Sequence, residues 1–113
     1  MKQIQLIKPG GLENISVCDA DVPIPKSDEV LIKVAASSLN YHDLLVALGA
    51  IPTDDKRVPL SDAAGEIIEV GSDVTEWKVG DHVMSVCFPN WQSGPPKYEL
   101  LSFIGDHEDG YAT

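Results

Sequence analysis

The punctuation of this chain limits its fold more than any other feature. Short stretches of alternating or β-branched apolar residues are cut off at close intervals by Gly and Pro, and one stretch alone follows a helical pattern. Residues 2–8 alternate polar with apolar up to the turn Pro9-Gly10-Gly11, and residues 14–19 repeat the alternation with Ile15 and Val17 on one face, so the two are expected to pair as a hairpin. Pro23-Ile24-Pro25-Lys26-Ser27-Asp28 forms a turn-rich bridge to residues 29–35, whose Val, Leu and Ile content predicts a strong strand. Residues 63–70 form a further strand closed by Gly71-Ser72-Asp73, and Lys78-Val79-Gly80-Asp81 turns into a strand over 82–86.

The helical stretch runs over residues 41–49, with Asn40 as N-cap, Asp43 favourable in the first turn and Gly49 as terminator. Beyond residue 88, Pro89, Gly94, Pro95 and Pro96 break every element until a helical turn becomes possible at 97–101, so this stretch reads as an excursion from the domain. Several short strands with one or two short helices predict a mainly β, partly open barrel.

A length of 113 residues suits one compact domain. The chain carries 8 Lys+Arg against 18 Asp+Glu, a formal net charge of −10, which repels phosphate backbones and anionic lipid and so argues against nucleic-acid and membrane partners. The acidic residues, Asp106 and Asp109 among them, are expected on a solvated surface, and Cys18 and Cys87 as two buried, unpaired thiols. With no apolar run of signal or membrane type, a cytoplasmic protein is expected.

Three segments in order carry a resemblance to a known family. They are Asp28-Glu29-Val30-Leu31-Ile32-Lys33-Val34 with Ser38-Leu39-Asn40-Tyr41-His42-Asp43, then Ala63-Ala64-Gly65-Glu66-Ile67-Ile68-Glu69-Val70-Gly71, then Val79-Gly80-Asp81-His82-Val83. Together with the early proline turns, they make residues 1–113 resemble the N-terminal GroES-like domain of the medium-chain dehydrogenase/reductase superfamily, which includes alcohol dehydrogenases and quinone oxidoreductases. Read physically, Gly65, Gly71 and Gly80 serve positive φ or close backbone approach, and Asp81 serves its turn.

The resemblance implies a longer, homo-oligomeric protein, in which a following Rossmann domain binds NAD or NADP and a small-molecule substrate lies in the cleft between the domains. This chain has no G-x-G-x-x-G run, so it is not expected to bind the cofactor by itself. Zinc-dependent relatives carry a cysteine and a histidine–glutamate pair where this chain has Asn40, Ser61 and Asp62, and a carboxamide and a hydroxyl are poor zinc ligands, so no metal is expected.

By the same resemblance, Asn40 and Tyr41 are the candidate catalytic residues, with His42, Asp43, Ser61, Asp62 and Trp91 in the cleft and Phe88 and Tyr98 as further candidates at its entrance. The implied reaction is hydride transfer between nicotinamide and a carbonyl, alcohol, quinone or enone, with an amide N–H or phenol O–H orienting the substrate oxygen. Asn40 is equally suited to a purely structural cap. Leu60 stands where the family often has glycine and puts a bulky side chain near the cleft. The rival reading is a stand-alone GroES-like module for binding or oligomerisation, without catalysis.

Overall fold

A computed structural model describes residues 1–113. Strand β1 (Lys2–Leu6) pairs antiparallel with β2 (Ile15–Asp19), in register from Lys2 opposite Asp19 to Leu6 opposite Ile15. This is the expected hairpin; a single 3₁₀ turn, Leu12–Asn14, lies in its connection. Strands β3 (Val30–Ala36), β4 (Ala64–Val70) and β5 (His82–Met84) form a second antiparallel sheet in that order. Helix α1 (Tyr41–Ala47) connects β3 towards β4, and a 3₁₀ turn at Tyr98–Leu100 stands where the helical turn is expected.

No ladder joins the two sheets, so the barrel is partly open, as expected. A groove of about 470 Å³ lies between them, lined by Ile4 and Val17 of the hairpin, Val34 of β3, and Leu60, Tyr111 and Ala112. β5 is shorter than the expected 82–86 because the Ser85 hydroxyl accepts the Ala63 amide at 3.0 Å, a side chain taking the place of a ladder carbonyl.

The core is small: only 13 of 113 residues are buried, and the apolar ones are Leu6, Val46, Val58, Ala63, Ile67, Ile104 and Ala112. Backbone stitching therefore carries much of the cohesion. The outer side of β1 is held by Leu6 N–H to Arg57 O at 2.9 Å and by Ile4 N–H to Ala112 O at 2.8 Å.

Three expectations are corrected. The stretch after residue 88 is an excursion only at first: it returns, with Gly110, Tyr111 and Ala112 donating to the carbonyls of Val58, Leu60 and Pro59 at 2.7, 3.0 and 3.1 Å, and contributes Ile104 and Ala112 to the core. Cys87 is exposed and Cys18 half-buried, because their positions fall outside the few sites the small core encloses. Asp106 is buried, and the reason is two histidine partners described below.

Candidate functional site

The loop after β3, the start of α1 and the entry to β4 meet in one polar network. Asn40 takes an extended backbone (φ −99°, ψ 157°) and N-caps α1, and Asp43 at the third helical position accepts the Asn40 amide at 2.8 Å. The other Asp43 oxygen accepts from Ser61, backbone N–H at 3.1 Å and hydroxyl at 3.3 Å. Asp43 is 6% exposed and Ser61 1%, so these bonds are shielded from water.

The Asn40 carboxamide nitrogen also reaches across to the entry of β4. Its Nδ2 donates to Asp62 Oδ2 at 2.8 Å and to the Ser61 hydroxyl at 3.3 Å. A carboxylate only accepts, so the Asn40 atom facing Asp62 must be the nitrogen. Asp62 also accepts the Ser38 hydroxyl at 2.8 Å, and its backbone carbonyl accepts Ser37 at 2.7 Å.

The structure thus brings Asn40, Asp43, Ser61 and Asp62 together, and it divides their roles. Asp43 is saturated by the protein's own donors and acts as a brace. Both amide hydrogens of Asn40 are engaged, so this carboxamide is not a free donor for a substrate oxygen. Tyr41 beside it is 75% exposed and has no hydrogen-bond partner in the chain, which leaves its phenol as the available donor.

An aromatic run closes one side. His42 packs on Phe103 with ring centroids 4.2 Å apart, Phe103 meets Phe88 edge-on at 5.2 Å, and Phe88 meets Trp91 at 6.1 Å. Trp91 and Phe88 are therefore linked to the start of α1, whereas Tyr98 is 90% exposed and takes no part in this run.

The zinc-ligand positions do not fit a zinc ion. Asn40 directs N–H donors at Ser61 and Asp62, where a ligand would direct a lone pair at metal, and no three His, Cys, Asp or Glu side chains converge as a metal-binding group. Leu60 holds a left-handed backbone at φ 76°, a conformation costing a side-chain-bearing residue about 1–2 kcal/mol, and its side chain lines the groove between the sheets.

Two residues were missed by the sequence reading. One is Asp106, with no motif around it. The other is Tyr111, whose pKa burial raises above 10.0, reinforced by the charges of Glu108 and Asp62 and opposed by a Ser85 hydrogen bond. The native chain holds this proton to higher pH than the unfolded chain does. Stability from the neutral phenol is fully present below pH 10.0 and is lost as pH rises through the native value. Tyr111→Phe is expected to flatten that alkaline decline in urea unfolding followed against pH; an unchanged decline would place its cause elsewhere.

The fold and site define a partly open β-barrel with a polar network at the start of its one helix. Residues 26–113 match the alcohol dehydrogenase GroES-like domain, and the chain belongs to that family. It is 44% identical over 80 residues to the chloroplast envelope quinone oxidoreductase homolog of Arabidopsis thaliana, covering 67% of this chain and 23% of that protein. Among solved structures, AibC superposes with a TM-score of 0.83 at 29% identity over 97% of this chain and 33% of its own. The quinone oxidoreductase of Escherichia coli complexed with NADPH superposes with a TM-score of 0.69 at 27% identity, over 74% of this chain and 26% of its own. The chain thus spans a quarter to a third of these relatives' length.

Proposed function

We propose that residues 1–113 form the substrate-side domain of a longer, zinc-independent oxidoreductase that transfers hydride between NAD or NADP and a carbonyl, alcohol, quinone or enone. The observation that carries this reading is the Asn40–Ser61–Asp62 network, in which the residues that the family resemblance sets at zinc-ligand positions hydrogen-bond to one another. Family membership and the likeness to an NADPH-complexed quinone oxidoreductase support the cofactor class.

The cofactor, when bound, supplies the hydride. No glycine-rich turn leads into α1, and on this reading the dinucleotide site belongs to a second domain of the longer protein. This chain's own task is to form one wall of the cleft: the Asn40–Asp43–Ser61–Asp62 network fixes the start of α1, Tyr41 offers a phenol O–H to the substrate oxygen, and the Phe103–Phe88–Trp91 run excludes water from one side.

Exposed apolar side chains such as Leu39, Met84 and Tyr98 suit cover by a second domain and by further copies of the protein. The free thiols of Cys18 and Cys87 suit a reducing compartment, and we place the protein in the cytoplasm.

Metal removal tests the zinc-independent part of this reading. Oxidation of NADH or NADPH by the native polypeptide, with quinone and enone acceptors, should be unchanged after dialysis against a chelator. A loss of turnover restored by zinc would overturn it.

A further inference from the structure

Asp106 is a buried carboxylate, 5% exposed, with an imidazole on each oxygen: His42 Nε2 lies 2.9 Å from Oδ2, and His107 Nδ1 bonds Oδ1. An ionised carboxylate only accepts, so the His42 proton must sit on Nε2. That leaves His42 Nδ1 as the free atom of the ring. It has no partner in the chain, yet it is not a buried orphan, since Arg57 Nε is the only buried side-chain nitrogen or oxygen without a partner. Nδ1 therefore reaches solvent from the first turn of α1, between Tyr41 and Asp43. Phe103 against the ring and Asp106 on its far nitrogen fix its tilt.

We propose that His42 and Asp106 form a proton-transferring pair at this site, His42 exchanging a proton with the substrate oxygen through Nδ1 and Asp106 acting as the positioning residue. The inference rests on the oxidoreductase reading above. Reduction of a carbonyl takes up one hydride and one proton: the hydride is the reduced nicotinamide's contribution, and the proton passes from Nδ1 of the His42 imidazolium to the oxygen, after which His42 regains one from water. The reverse direction returns the alcohol proton to Nδ1.

Because a proton passes through His42, the pair makes the reaction depend on pH through this side chain. The titratable groups nearby are Asp43 and Tyr41 on α1, Asp62 at the entry to β4, and His107 and Glu108 beside Asp106. His107 is exposed and shares the carboxylate, so it competes for Asp106 without reaching the helix.

The test uses the native polypeptide with its His42→Gln and Asp106→Asn variants, their folds compared by circular dichroism. Turnover of NADH or NADPH with a quinone or enone acceptor is followed against pH. The pair predicts that His42→Gln lowers kcat/KM by about 100-fold, the usual scale of general acid–base catalysis, and changes the pH profile. Asp106→Asn should lower kcat and alter that profile, and nitrogen NMR of His42 should lose the Nε2–H tautomer. A His42→Gln variant within threefold of wild type, with an unchanged pH profile, overturns the proposal and leaves the oxidoreductase reading standing. Wild-type protein with no turnover overturns both. Should Asp106→Asn fail to fold, the His42→Gln profile decides.

Discussion

Gly65→Ala is expected to destabilise the fold by about 4 kcal/mol, at the upper end of single-residue effects. A Cβ at Gly65 would lie 2.2 Å from the Lys33 carbonyl oxygen and 2.9 Å from its carbon, both backbone atoms of the paired strand. Neither can swing aside, because Gly65 pairs with Val34 in β3 and with Val83 in β5, at the point where the β3–β4 register is already irregular. Relief requires separating β3 from β4, the longest ladder of a fold with only 13 buried residues. A loss of that size takes most of the stability of a domain at the low end of the native range, about 5 kcal/mol.

Gly80 is the internal control. It has φ +93° but nothing within 4 Å of an added Cβ, so Gly80→Ala should cost only about 1–2 kcal/mol, the price of a left-handed backbone. Urea unfolding of both variants checks the pair. Equal effects would show that backbone conformation, and not the close approach of β3, governs Gly65.

Asp43→Ala should follow closely, at about 3 kcal/mol. The carboxylate accepts three bonds, from the Asn40 amide and from the Ser61 amide and hydroxyl, and its loss leaves the buried Ser61 N–H without a partner. Bonds to a charged group contribute about 1.5–3 kcal/mol each, and an orphaned buried donor costs a further 1–3 kcal/mol, partly offset by water entering. Asp43→Asn keeps the shape but brings an N–H against a donor, so it should recover little. Thermal unfolding measures both. Because Asp43 braces the start of α1, loss of turnover in the native polypeptide should track this destabilisation, while a variant that stays folded yet fails to turn over would give Asp43 a direct role instead.

The β-strands were legible because their signal is local. Alternation in β1 and β2, β-branched density in β3 and β4, and the Gly71 and Gly80 turns each lie within a few residues, and the Asn40 cap with Asp43 three residues on is a motif in itself. What escaped is held by long-range contacts. The return of residues 110–112 to residues 58–60 uses backbone bonds that no periodicity announces. Asp106 lies among acidic neighbours that read as surface, and only the folded chain brings it to His42, 64 positions away. The site divides in the same way: the positions of Asn40, Ser61 and Asp62 followed from the resemblance, but that the Asn40 amide hydrogens are already spent on Ser61 and Asp62 required their geometry.

The most direct measurement of the central claim is NADPH or NADH oxidation by the native polypeptide, captured intact from its source with a reagent against this domain, sized by mass spectrometry and assayed with quinone and enone acceptors beside isolated residues 1–113. The account predicts a species larger by at least one domain that oxidises reduced nicotinamide, and an isolated chain that does not. A native species ending at Thr113 that neither binds nor oxidises nicotinamide would contradict it, and a binding or oligomerisation module would then describe the chain.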